Sequence, residues 1–132
     1  MIGIDTSVLV RYFTADDSKQ FALVRRFLEE RLDQAAPGHV SLVVLTELVW
    51  VLVSRYSASR DEVVAVLEEL LADARLRVQD AMAVWAAVDE FEATSADFAD
   101  ALIVAVDREH GCERTVTLDR RAARIEGMEL LA

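Results

Sequence analysis

Between Leu42 and Val53 the chain runs for twelve residues with only Thr46 and Glu47 interrupting an apolar series. At helical spacing such a stretch carries apolar side chains on nearly every face, which predicts a buried helix. It falls short of the ~18–20 residues needed to cross a bilayer, where a central Glu would also be costly. The cover must therefore come from the rest of the chain. With 132 residues, 54 % of them apolar, a globule buries roughly two-thirds of its unfolded surface, enough for one core around such a helix. Glu47 is then the exceptional residue, because a buried carboxylate is neutralised, paired or bound to a metal. A structural ion pair, with Arg55 or another arginine, is one solution. A cation site is the other.

The flanking sequence alternates short apolar runs with helical periodicity. Met1–Asp5 reads as a buried first strand and Thr6–Phe13 as a short helix. Asp16, Asp17 and Ser18 offer N-caps for a helix in which Phe21, Val24, Phe27, Leu28 and Leu32 recur at helical spacing. His39–Ser41 reads as a second strand, ahead of the helix at 42–56. Ser59-Arg60-Asp61-Glu62 has the form of a capping box and predicts a helix through Leu71. Leu76–Val78 reads as a third strand, Asp80 as the cap of a helix at 81–93, and Asp97 as the cap of the next, which Gly111 ends. Thr115–Leu118 is a fourth strand, Arg120–Arg124 one helical turn, and Met128–Leu131 a last edge strand.

Strands alternating with helices imply parallel βαβ units, an α/β sandwich with helices on both faces. Pro37 is the sole proline, there are four glycines, and no segment resembles a linker, so residues 1–132 read as a single domain. The one cysteine, Cys112, excludes an intramolecular disulfide. No basic region followed by a long apolar stretch opens the sequence, which predicts a cytoplasmic protein without a membrane span.

Fourteen Lys and Arg oppose twenty-four Asp and Glu, for a net charge of −10. That acidity excludes a broad basic face for nucleic acid, because such binding is driven by counterion release from phosphates. It leaves open a site built from carboxylates. In parallel α/β sheets the functional crevice lies beyond the carboxyl ends of the strands. This selects Asp5, after the first strand, and Asp119, after the fourth, although each also suits a turn or a cap. Asp97 and Asp100, three residues apart, share a helix face. Asp97 doubles as an N-cap, and Asp100 gains from the helix dipole whatever its role. Clustered carboxylates repel one another unless a counter-charge joins them. Mg²⁺ or Mn²⁺ resolves the conflict, since both prefer oxygen ligands and Mg²⁺ keeps several waters. Cys112, His39 and His110 form no ligand-spaced pair for zinc. A hydrated Mg²⁺ among acids suits hydrolysis of a phosphodiester.

Four blocks occur in order: Met1-Ile-Gly-Ile-Asp5-Thr6-Ser7-Val-Leu-Val10, Val44-Leu-Thr46-Glu47-Leu-Val-Trp50, Asp97-Phe-Ala-Asp100-Ala-Leu-Ile103 and Thr117-Leu-Asp119-Arg-Arg121-Ala122-Ala. With them the chain resembles, essentially end to end, the PIN-domain ribonuclease toxins of the VapC type from bacterial type II toxin–antitoxin systems. The resemblance implies a PIN-like α/β/α sandwich on a short, mainly parallel central sheet. It also implies Mg²⁺-dependent endoribonuclease activity, with Mn²⁺ as a substitute. The expected partners are RNA, a second copy in a homodimer, and a cognate antitoxin that blocks the site within a larger hetero-oligomer.

Carried over residue by residue, the resemblance makes Asp5 and Asp100 metal ligands. Glu47 would position the metal or its water. Asp119 matches the last and most variable acid, and Asp97 is an accessory acid on the face of Asp100. Ser7 stands where the family often has Asn, so a hydroxyl replaces an amide as donor. Thr6, Ser7 and Thr117 would support the acids from behind. Arg11, Arg120, Arg121 and Arg124 are candidates for RNA phosphates, although each taken singly better suits a solvated surface charge.

Two rival readings remain. One is a catalytically weak PIN-fold module acting through antitoxin binding and operator regulation. The other, a receiver domain, needs an acid pair after the first strand and a lysine after a late one. Here Asp5 precedes Thr6 and the sole lysine is Lys19, which disfavours it. Phe13, Phe21, Trp50 and Tyr56 suit a core first, and an apolar groove for an antitoxin helix second.

Overall fold

In the computed structural model, which describes residues 1–132, a side-chain oxygen accepts a backbone hydrogen bond at the start of five of the six helices. The capping residues are Asp5, Asp17, Ser41, Ser59 and Asp97, and each satisfies an N–H that a helix leaves open. Ser59 and Glu62 complete the capping box: Ser59 Oγ accepts from the Glu62 N–H, and Glu62 Oε1 from the Ser59 N–H, both at 3.1 Å. Asp80 departs from expectation. Its backbone is left-handed, at φ 47°, and its side chain caps nothing. From that geometry the carboxylate cannot fold back onto the first turn as an extended N-cap residue does.

The chain divides into two compact units, Met1–Gln79 and Asp80–Ala132. The first contains β1 (Ile2–Gly3), α1 (Thr6–Thr14), α2 (Ser18–Arg31), β2 (Gly38–Val40), α3 (Leu42–Tyr56), α4 (Arg60–Ala72) and β3 (Leu76–Val78). Its strands pair in parallel in the order β1-β2-β3, with Gly38 opposite both Ile2 and Leu76. A Cβ at Gly38 would lie 3.0 Å from the side chains of Ile4 and Leu32, so glycine permits this close approach. The predicted buried first strand is not buried. Ile2 and Gly3 are exposed on a two-residue edge strand, and burial begins at Ile4.

Helix α3 has the predicted bounds, and it buries Leu45, Leu48, Val49 and Leu52. Yet Val43, Trp50 and Val53 are 79 %, 59 % and 49 % exposed, and Glu47 is exposed among them. The expectation of a buried Glu47 is therefore corrected. A helix packed from one side keeps an outward stripe even when that stripe is apolar.

The second unit contains α5 (Ala81–Ala93), α6 (Phe98–Glu109), β4 (Thr115–Thr117), a 3₁₀ turn at Ala122–Arg124, and β5 (Met128–Leu130). Helices α5 and α6 pack together, and the Phe91 and Phe98 rings meet edge to face with centroids 6.0 Å apart. Strands β4 and β5 form a parallel ladder. Ala96, Val104 and Ile125 form a small buried cluster, with Met128 against it. Gly127 has φ +100°, and a Cβ there would lie 2.9 Å from Val104, so no other residue fits without displacement. The two units together give a mixed α/β chain with two short parallel sheets. No helix is long and apolar enough to cross a membrane.

The one-sided packing of α3 predicts unequal costs along it. Leu48→Ala should lower unfolding free energy by about 2–5 kcal/mol, whereas Val43→Ala should change it by less than about 0.5 kcal/mol. Urea titration of both variants checks this, and comparable losses would contradict the outward placement of Val43.

Candidate active site

In the first unit, Asp5 ends the β1 segment and becomes the N-cap of α1. Its Oδ2 accepts from Ser7 Oγ at 2.7 Å and from the Ser7 N–H at 3.4 Å. The Ser7 hydroxyl, then the Ser7 amide, holds the Asp5 carboxyl below the usual carboxylate range, because both donors favour the ionised form. Thr6 is buried, and its Oγ1 has no hydrogen-bond partner, a rarity for a buried hydroxyl. Glu47 projects from the outward stripe of α3 and forms no ion pair with Arg55, whose guanidinium instead sits 6.0 Å from the Trp50 ring centroid.

Arg11 is engaged elsewhere in the same unit. It donates to Gln20, to Asp16 at 3.4 Å and to the Tyr56 hydroxyl at 3.3 Å. Tyr56 in turn donates to Asp16 Oδ2 at 2.7 Å, and Thr14 Oγ1 to Asp16 Oδ1 at 3.0 Å. This network ties the turn between α1 and α2 to the end of α3. Nothing local in the sequence signals a bond between residues forty positions apart.

The second unit gathers three of the predicted acids. Asp97 is the N-cap of α6, its Oδ1 accepting from the Asp100 N–H at 3.3 Å. Asp100 sits half-buried in the first turn. Asp119 Oδ1 accepts from the N–H groups of Arg121, at 2.8 Å, and Ala122, at 3.2 Å. The Asp119 N–H donates to Thr117 Oγ1 at 3.0 Å, so Thr117 does stand behind an acid. Burial first, then the negative charges of Asp97 and Asp119, push the Asp100 carboxyl above its ordinary value, while Arg121 opposes them. The guanidinium of Arg121 donates to the Ser95 carbonyl at 3.4 Å, a tie that sequence reading missed. Arg120 and Arg124 are exposed.

Carboxylate oxygens are the donors a hard cation prefers, and each unit carries its own: Asp5 beside the unpartnered Thr6 hydroxyl in the first, and Asp97, Asp100 and Asp119 in the second. Within neither unit do three His, Cys, Asp or Glu side chains converge to hold a metal ion. Acids fixed by backbone amides at helix starts are what a parallel α/β fold offers to phosphoryl chemistry. The family profile of the PIN domain matches residues 2–128. The chain belongs to the PIN domain family, whose members are generally nucleases and typically use divalent metals. No curated protein matches it.

Two measurements follow from the carboxyl environments. Ser7→Ala should raise the Asp5 titration midpoint toward the ordinary Asp value, as read by NMR. Asp100 behaves oppositely. A carboxyl raised in the folded state makes stability fall as pH climbs through the interval between its unfolded and folded midpoints, and the cost persists above it. Asp100→Asn should therefore raise Tm slightly at pH 7 in EDTA, with the gain vanishing below about pH 4, the unfolded Asp range. A gain independent of pH would refute the electrostatic origin.

Proposed function

We propose that the chain is a Mg²⁺-dependent endoribonuclease acting as the toxin of a type II toxin–antitoxin pair, of the VapC type, in the cytoplasm. The observation that carries this reading is the match of the PIN profile over residues 2–128, in a chain whose Asp97 and Asp119 bring negative charge to bear on Asp100. Burial first and these charges second press Asp100 toward its neutral form, and a cation would relieve that pressure.

Asp5 and Asp100 would be the metal ligands, with Glu47 and Asp119 completing the charge and Asp97 an accessory acid. Mg²⁺, or Mn²⁺ in its place, would supply Lewis acidity at the phosphodiester and favour its hydrolysis to a 5′-phosphate product. The chain's own part is orientation. Ser7 keeps Asp5 ionised and fixed in direction, and the amides of Arg121 and Ala122 do the same for Asp119. Arg120 and Arg124 are exposed for RNA phosphates.

The surface supports partners of two kinds. The stripe of Val43, Trp50 and Val53 on α3 suits a second copy of the chain. A groove of about 250 Å³, lined by Phe13, Leu52, Tyr56 and Val66 with Glu62 among its lining residues, suits an apolar antitoxin helix carrying a basic residue. A basic side chain from the antitoxin would also block the acids.

Single-stranded RNA incubated with the purified chain should be cut in Mg²⁺ and left intact in EDTA. Asp5→Asn and Asp100→Asn should each slow cleavage by roughly 100-fold or more, the scale of losing a charge contact in a reaction's transition state. Wild-type rates in both variants would sink the assignment. Absence of cleavage by the native chain in Mg²⁺ would favour a PIN module that acts through antitoxin binding alone.

A further inference from the structure

The three-stranded sheet of the first unit has two unlike faces. Side chains of a strand alternate between faces, and the pairing sets Gly3 opposite His39 and His39 opposite Arg77. One face carries Ile4, Val40 and Val78, all buried. The other carries Gly3, His39 and Arg77 in a row, with Gly3 and Arg77 exposed and His39 half-buried. The ladder continues past this row: the Ile4 N–H donates to the His39 carbonyl and the Gln79 N–H to the Val40 carbonyl, both at 2.9 Å. Asp5 and Gln79 therefore return to the same face about 7 Å further along the strands. Both are exposed.

The chemistry of this row is that of an anion site. Arg11, Arg25, Arg26, Arg75 and Arg114 are each taken by a carboxylate, whereas the side chains of His39 and Arg77 make no hydrogen bond or ion pair. Adjacent strands lie about 4.8 Å apart, close enough for imidazole and guanidinium to meet one phosphate. Gln79 Oε1 takes the Leu42 N–H at 3.0 Å, which leaves its NH₂ group as a further donor. A Cβ at Gly3 would meet nothing within 4 Å, so a ligand can lie against the backbone there. We propose that Gly3, His39 and Arg77 form a phosphate track on this open face, which seats the backbone of single-stranded RNA and leads it toward Asp5. Arg77 is its positioning residue, since a guanidinium fork matches phosphate oxygens in pairs. The RNA assignment rests on the nuclease reading above, whereas the row and its free donors stand on the sheet alone. One such local contact is compatible with a net charge of −10, where a broad basic platform is not.

A labelled oligouridine titrated in EDTA at low salt, read by fluorescence anisotropy, isolates this contact from cleavage. R77Q should bind about fivefold more weakly and flatten the slope of log affinity against log salt by about 0.7, the share of one single-strand phosphate. R26Q changes net charge equally on α2, where Arg26 pairs with Glu30, and should bind as wild type does. Gly3→Val lays a side chain over the track in a strand that accepts it. It should weaken binding at least as much as R77Q, with Tm unchanged or raised. In Mg²⁺, R77Q should raise KM for RNA and leave kcat near wild type. Equal affinity in R77Q and R26Q, or in Gly3→Val and wild type, would overturn the track. A wild-type dimer that Gly3→Val disperses, with RNA affinity unchanged, would overturn it in favour of a second copy covering the face. Loss of cleavage in Asp100→Asn while R77Q keeps the wild-type KM would overturn the track and leave the nuclease reading standing. RNA bound in EDTA and weakened by R77Q, in a chain that cuts nothing in Mg²⁺, would sustain the track and overturn the nuclease reading.

Discussion

Backbone N–H groups at the start of helical turns fix three of the acids on which the proposed chemistry depends. Asp5 takes the amide of Ser7 at the head of α1, Asp97 that of Asp100 at the head of α6, and Asp119 those of Arg121 and Ala122 before the 3₁₀ turn. Each bond closes an orphan donor that the turn would otherwise leave open. Each also sets the direction of a carboxylate, at Asp5 together with the Ser7 hydroxyl. Short strands deliver the chain to these turns, and the turns aim the acids.

The arrangement concentrates negative charge where helix dipoles tolerate it, but not without cost. Burial, and then the charges of Asp97 and Asp119, raise the protonation of Asp100, which caps nothing. Asp5 accepts from the Ser7 hydroxyl and amide, which make it easy to ionise. The two proposed metal ligands thus start from opposite electrostatic positions. Their difference comes from burial and neighbours rather than from residue type.

Much of this was legible from local signals. The bounds of α3 and α5 match the sequence reading, and the Ser59–Glu62 box forms as its spacing implies. Capping and periodicity act over three or four residues, so a sequence displays them directly. What failed depended on distant packing. The composition of α3 cannot say which side is covered, and Glu47 was misplaced on that account. Asp80 satisfies the composition of a cap while its left-handed backbone forbids the bond. The ties of Tyr56 to Asp16 and of Arg121 to Ser95 join segments far apart in the chain, where no spacing rule operates. Among the site residues, Thr117 was singled out only through the family resemblance, and the side-chain tie of Arg121 had no sequence signature.

The double duty of the capping acids bears on how the chain would evolve. A descendant that lost nuclease activity would still be selected to keep Asp5 and Asp97, since exchanging a capping Asp for Ala costs about 1 kcal/mol of helix stability. Their persistence among relatives would record folding as much as chemistry. Asp100 and Glu47 cap no helix, and Asp100 is held at an electrostatic penalty. Drift would remove those two first once catalysis ceased to matter, so they are the positions at which retention across a lineage distinguishes a working nuclease from an inherited scaffold.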